Sequence, residues 1–222
     1  PFASRQWNEN GTMIIEFKHR EYYTEYWDNG NPKNVMTGII YRDNQGVFQQ
    51  DSGRGESYFE NGKIESQFDK KDKQIIAGKQ WDENGTLIFD FDFPKYQKLY
   101  SDNGTLRLEM EGTLFYDDNG KIQIQNGFRK IYYENGEMGL HEIINEKKLI
   151  SKKSQREDGS LSMVGDVQKG VHIEYYSNGK PSREISGKFH YDDDGDIVLE
   201  NASDKRWNEK GILIVEIVFP KY

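Results

Sequence analysis

One phrase recurs through this chain. It reads "YFENGKI" at 58–64, "QWDENGTL" at 80–87, "FYDDNGKI" at 115–122, "YYENGEM" at 132–138 and "YYSNGKP" at 175–181. Aligned on their glycines, the units fall at Gly11, Gly30, Gly46, Gly62, Gly85, Gly104, Gly120, Gly136, Gly159, Gly179, Gly195 and Gly211. The gaps run 19, 16, 16, 23, then 19, 16, 16, 23, then 20, 16, 16, so four short units make a super-period of 74–75 residues, present three times. A fixed period restricts the fold to stacked copies of one supersecondary part.

Side chains follow the same rule. An aromatic stands four residues before the glycine in ten of the twelve units; the exceptions are Gln155 and Tyr41, the latter displaced by one place. Two residues after the glycine the chain is always apolar, from Met13 and Pro32 to Pro181, Ile197 and Leu213. Asn precedes the glycine in eight units. Asn-Gly accepts the positive φ of a tight reversal, and an aromatic and an aliphatic at the two strand ends then meet across it. The phrase is a β-hairpin corner. Second reversals are expected between glycines at "DSGRG" (51–55), "DKKDK" (69–73), "QNGFR" (125–129), "INEKK" (144–148) and "NASDK" (201–205), which makes a meander of about two dozen strands. No helix is expected, and "NEKKLISKKSQRED" (145–158) reads as a hairpin with a charged turn.

Composition agrees. Apolar residues are 34% and charged residues 31%, with mean hydropathy −0.94. Yet 14 Tyr, 12 Phe and 4 Trp are too many for a solvated coil and suit a thin sheet covered by rings. The expected architecture is all-β: an elongated antiparallel hairpin array, an open meander or solenoid, forming one domain over 1–222. Its super-repeats are approximately 1–74, 75–148 and 149–222. Laid flat at ~4.8 Å per strand, such a ribbon would extend about 100 Å, and twist would curve it.

The phrase G-x(n)-Tyr-Tyr-x-Asn-Gly-Lys, seen in "GFRKIYYENGEM" (127–138) and "GVHIEYYSNGKP" (170–181), resembles the bacterial variant of the MORN repeat. The likeness covers nearly the whole chain. It departs in the 19-16-16-23 alternation, where family members keep a steady period, and in having few strict Asn-Gly-Lys matches (61–63, 178–180). The resemblance implies a binding protein. Bacterial members are often described as antitoxin or immunity-type proteins; eukaryotic ones are linked to scaffolding and membrane lipids.

Several chemistries find no footing. Cysteine is absent, which removes disulfides, thiolate nucleophiles and Cys-based zinc. His19, His141, His172 and His190 fall in different units without ligand spacing. No G-x-S-x-G elbow, P-loop or dinucleotide fingerprint occurs. "YDDDGDI" (191–197) resembles the middle of a calcium loop, but His190 stands where that loop would begin and Asn201 where its bidentate Glu belongs. Asp192–Asp196 are therefore read as solvated turn acids. No catalytic residue, cofactor or metal is expected.

The net charge of −8 disfavours nucleic acid and anionic membrane surfaces, and with them lipid binding. No run is long enough to span a bilayer as a helix; the longest, "ILIVEIVF" (212–219), reads as a strand. A cysteine-free chain fits the bacterial cytoplasm and also many exported proteins, and the start at Pro1 suggests a mature or trimmed chain. The expected function is non-enzymatic binding of a protein partner, foremost an antitoxin or immunity role against a basic toxin domain. The alternative is a structural or envelope array that meets proteins or glycans. The candidate partner-binding residues are the second aromatics of the doublets, Trp27, Phe59, Tyr133 and Tyr176, with the adjacent acids Asp28, Glu60 and Glu134.

Overall fold

The Asn-Gly phrase closes a three-residue hairpin loop each time. In the turn at Gly30, the Gly30 N–H donates to Trp27 O (2.9 Å) and the Trp27 N–H donates to Asn31 O (2.8 Å). Gly30 has φ +84°, so a type I turn runs into a left-handed glycine and a bulge. The bulge shifts the register by one residue just where the aromatic stands. The result is the cross-strand pairs Trp7↔Met13, Tyr58↔Ile64, Trp81↔Leu87, Tyr132↔Met138 and Trp207↔Leu213. Where Tyr41 is displaced, Arg42 faces Phe48 instead and lays its guanidinium over that ring at 4.4 Å.

The computed structural model describes residues 3–19 and 21–219. These form nineteen strands in two compact units, which among the described residues run to Phe93 with Gln97–Gly104, and from Thr105 onward with Pro94–Tyr96. The first unit holds β1 (Ala3–Trp7), β2 (Met13–Lys18), β3 (Tyr22–Tyr26), β4 (Pro32–Thr37), β5 (Ile39–Arg42), β6 (Phe48–Tyr58), β7 (Ile64–Lys71), β8 (Gln74–Trp81), β9 (Leu87–Asp92) and β10 (Tyr96–Tyr100). The second holds β11 (Leu106–Tyr116), β12 (Ile122–Tyr132), β13 (Met138–Asn145), β14 (Lys148–Gln155), β15 (Leu161–Asp166), β16 (Val171–Tyr175), β17 (Pro181–Tyr191), β18 (Ile197–Trp207) and β19 (Leu213–Val218). Each unit is an open antiparallel sheet in which chain neighbours pair, save that in the first β4 and the short β5 both pair with β6. The expected all-β hairpin array is what forms.

There are fewer strands than the two dozen expected, and the reason is local. "DSGRG", "QNGFR" and "NASDK" do not reverse the chain; they lie inside the eleven-residue strands β6, β12 and β18. Gly127 there faces Gly112 across the ladder, and a Cβ on Gly127 would sit 2.0 Å from Glu111 O. The glycine serves close backbone approach and a bend, not a turn. By contrast "DKKDK" and "INEKK" do reverse, as two-residue turns with Asp72 and Lys73 at φ 50° and 66°, and Glu146 and Lys147 at 49° and 66°. Neighbouring strands hold these left-handed residues: Asp72 N–H donates to Ser52 Oγ (3.1 Å) and Glu146 N–H to Asn126 Oδ1 (2.8 Å). The charged segment 145–158 is accordingly turn and strand, as expected.

The long strands carry the third turn of each super-repeat (Gly46, Gly120, Gly195) away from the edge of their unit that bears the other glycine turns. The hairpins bend back over one face and make the small cores. In the first unit Ile40 and Phe48 cover Phe17 and Tyr23, with Phe48 centroids 4.6 and 4.4 Å from those rings. In the second, Phe189 and Tyr191 cluster with Ile185 and Ala202. Beneath the first bend runs a transverse row in register, Phe17, Tyr23, Met36, Gly55, Phe68, Gly78 and Phe91. From Gly55 to Phe91 it alternates glycine and ring, since a Cβ on Gly55 would lie 2.1 Å from the Phe68 ring.

Gly127→Ala is expected to lower unfolding stability by about 1–3 kcal/mol through backbone clash and strain. Gly120→Ala adds a Cβ with nothing within 4 Å at φ +75°, so its expected cost is the smaller left-handed penalty alone, about 1–2 kcal/mol. Urea midpoints at unchanged m-value check the ranking.

Candidate functional site

The predicted aromatics are the first residues of their turns, one place beyond the strand. Their polar atoms reach the next turn along the same edge. Trp27 Nε1–H donates to Tyr58 O (3.0 Å), Tyr133 O–H to Gln155 O (2.9 Å) and Tyr176 O–H to Trp207 O (2.7 Å). The Asn before the glycine does the same, Asn29 to Glu60 O (2.8 Å), Asn135 to Glu157 O (2.9 Å) and Asn178 to Glu209 O (3.1 Å). So does the Lys after it, Lys63 to Glu83 O (3.0 Å) and Lys180 to Lys210 O (3.1 Å). Aromatic, Asn and Lys are thus hooks between stacked turns. Phe59 has no polar atom to add, and Lys63 makes the reach in its turn.

Turns without the second aromatic follow another rule. In six of these eight Asn or Asp takes its place (Ser101 and Arg156 are the exceptions), and its side-chain oxygen accepts the turn's own N–H groups, as at Asn8 from Thr12, Asp82 from Thr86, Asp117 from Lys121 and Asp192 from Asp196. The Asp82 carboxyl is held below its ordinary value chiefly by the Thr86 N–H, and that of Asp117 by Gln123 and then Lys121. Asp192, expected as a solvated turn acid, therefore serves its loop. No group of three or more His, Asp or Glu that could hold a metal occurs among the described residues.

The predicted acids Asp28, Glu60 and Glu134 are exposed, each two residues before a turn glycine. They belong to a longer series. Glu9, Glu83 and Asp102 occupy the same place in the first unit, and Glu157 and Glu209 in the second, all exposed. The hooks grip the backbone carbonyls of Glu60, Glu83, Glu157 and Glu209 and leave their carboxylates outside. Glu134 also has Arg107 at 3.6 Å.

A second constellation escapes sequence reasoning. The transverse row of the second unit runs Met110, Arg129, Glu142, Lys152, Gly165, His172, Ile185, Asp204 and Ile217. Arg129, Glu142 and Lys152 stand one super-period after Gly55, Phe68 and Gly78, so ions replace the ring-over-glycine pattern. Arg129 Nε donates to Glu142 Oε2 (2.7 Å), and Lys152 Nζ lies 3.9 Å from Glu142 Oε1. Asp204, 2% exposed, is gripped by Arg183 (3.0 Å) and Arg206 (2.9 Å). Burial alone would raise the Asp204 carboxyl, but the two guanidinium groups hold it below its ordinary value. His172 is enclosed, with Nδ1 3.2 Å from Tyr191 Oη and Nε2 3.2 Å from Glu174 Oε1. Both ring nitrogens are engaged, so the ring presents no base to a substrate. Burial, then the charges of Asp166, Glu142 and Glu174, pushes the Tyr191 phenol up to about 12. The Glu174 carboxyl is lowered, first by its bond with His172.

Against known proteins, the family profile described as "MORN repeat variant" matches residues 52–69 and 168–189. Both stretches contain an aromatic doublet followed by Asn-Gly-Lys. MORN-like repeats thus occupy part of the chain. No curated protein matches the sequence. Among solved structures, a crystal structure of TcdB2-TccC3-Cdc42 aligns with 9% identity and a TM-score of 0.22 over 97% of this chain. A Tc holotoxin pore of Photorhabdus luminescens aligns with 8% identity and a TM-score of 0.20 over 92%. The chain spans 13% and 14% of the length of those two chains. No helix among the described residues is long and apolar enough to cross a membrane, which says nothing of β-barrels.

Tyr176→Phe, which removes one inter-turn donor, is expected to cost about 0.5–1.5 kcal/mol in urea unfolding. Asp204 contributes stability that is complete above the ordinary carboxylate range and is lost as pH falls through its depressed folded value. Asp204→Asn is therefore expected to flatten the acid limb of stability against pH; an unchanged limb would refute the role assigned to that carboxylate.

Proposed function

We propose that this all-β repeat protein acts by binding a basic protein partner, as an antitoxin or immunity-type protein that occludes a cationic cleft. One observation carries the reading: the acid two residues before the glycine recurs on the turn edge of each unit, exposed, with its backbone fixed by the preceding turn. Turns two strands apart space these carboxylates by roughly 10 Å, a pitch a row of Lys and Arg can meet. The resemblance to MORN-variant proteins and the net charge of −8 support the same reading.

The half-buried aromatics Trp27, Phe59, Tyr133 and Tyr176 are in this view the supports that hold Asp28, Glu60, Glu134 and their equivalents in line. Such a surface governs encounter more than residence, so its signature is kinetic. The triple variant Asp28→Asn, Glu60→Gln, Glu83→Gln is expected to lower the association rate with a cationic toxin domain encoded beside the gene by about tenfold at low salt. Added salt should abolish the difference. Stopped-flow or interferometric rates check it; a rate insensitive to both variant and salt refutes the acidic-edge reading.

A further inference from the structure

The ionic row of the second unit does not simply replace a core. Over Arg129, Glu142 and Lys152 lies a cleft of about 460 Å³, within the usual size of small-molecule sites. Its apolar lining comes from Met110, Ile124, Leu140, Ile144 and Leu149. On one side stand Lys147 and Lys148; on another stands the turn of the β17–β18 hairpin, with Asp192, Asp193 and Asp194. The two walls carry opposite charge, and among the described residues no ion pair within 4.0 Å joins them; Lys147 Nζ lies over the Phe115 ring at 4.3 Å.

Glu142 points the same way. It is 4% exposed and lines the cleft. Its Oε2 takes the contacts of Arg129, whereas Oε1 has only Lys152 Nζ at 3.9 Å, beyond hydrogen-bond distance. With no donor of the chain inside 3.5 Å, Glu142 Oε1 is reached from the cleft, where water or a ligand donor meets it. Seventy-four residues earlier, Gly55, Phe68 and Gly78 fill the corresponding place with a ring. A second cleft of about 360 Å³ shares Lys152, Tyr191 and Gly195 with the first and continues towards Glu174 and Arg183.

We propose that this cleft binds a small dipolar ligand of the amino-acid or short-peptide class. The ammonium end meets Glu142 Oε1 and the Asp192–Asp194 turn, the carboxylate end meets Lys147 and Lys148, and aliphatic side chains lie on the apolar lining. The site is separate from the acidic turn edge and needs no basic protein partner.

The test uses the full chain and L-leucyl-L-leucine as the probe, by calorimetry and by methyl NMR of Met110, Ile124 and Ile144. Saturable one-to-one binding with shifts at those methyls is expected. Acetylating the amine or amidating the carboxylate should each weaken binding by about tenfold or more, as for any site built around a specific polar group. Lys148 and Asp193 are exposed and outside the strand interior, so their variants should fold. Lys148→Gln is expected to erase the preference for the free carboxylate, and Asp193→Asn with Asp194→Asn the preference for the free amine. Lys71→Gln, exposed in the other unit, should leave dipeptide binding unchanged. Absence of saturable binding at millimolar probe, equal affinity for the blocked dipeptides, or shifts away from the three methyls would overturn the proposal. None of these results bears on the acidic edge, whose failure would show only in the partner's association rate.

Discussion

Everything in this chain hangs on a left-handed glycine three residues into a turn. At Gly136 the φ of +85° lets the Gly136 N–H close on Tyr133 O (3.0 Å) while the Tyr133 N–H reaches Glu137 O (2.9 Å). The bulge this creates moves the register by one and sets Tyr132 opposite Met138. It also delivers Tyr133 and Asn135 to the outside of the strand, where they reach Gln155 O and Glu157 O of the following turn. A single conformational permission, available cheaply to glycine, thus fixes both the cross-strand pair and the coupling of successive hairpins. Two hairpins that share only a ladder could slip; two whose corners are tied could not without breaking several bonds of about 1 kcal/mol each.

Two turn types then divide the labour. Where Asp or Asn opens the turn, as at Asn8, Asp82 and Asp117, the side chain satisfies its own loop. Where an aromatic opens it, the loop is capped by the Asn before the glycine, as when Asn29 Oδ1 accepts the Asn31 N–H, and that same Asn spends its amide on the neighbour. The Tyr-Tyr-x-Asn-Gly-Lys phrase is therefore the signature of a turn that must hold on to the next one, and its regularity is a matter of assembly.

The corners and their aromatic–aliphatic pairs were legible because both lie within a few residues of one another. The glycines at 53 and 127 were misread as reversals, because sequence alone does not tell a glycine that turns from one that admits a facing backbone. The role of Tyr133 and Tyr176 is half visible: the sequence marks them as the second members of doublets, but the carbonyls they reach lie 22 and 31 residues away. The ionic row was beyond reach for the same reason. Glu142 and Lys152 are partners only once the β13–β14 register is known, and Arg183 and Asp204 only once that of β17–β18 is. The repeat did carry a faint sign. Arg129, Glu142 and Lys152 occupy the places of Gly55, Phe68 and Gly78, which a comparison of super-repeats at inward positions exposes.

That substitution runs against stability. Replacing a packed ring by a buried ion set often gains nothing and commonly loses 1–4 kcal/mol. Asp204 is compensated by two guanidinium groups, and His172 by a phenol and a carboxylate, so these positions are at least satisfied. Glu142 is paired with Arg129 through Oε2, and its Oε1, 3.9 Å from Lys152 Nζ, opens on the cleft. A thin sheet with little core has small reserves against such a cost. The first unit demonstrates that the same backbone accepts Phe68 over Gly55 at that place. Where the first unit closes this place with a ring over glycine, the second sets charged side chains that open on a cleft between walls of opposite charge.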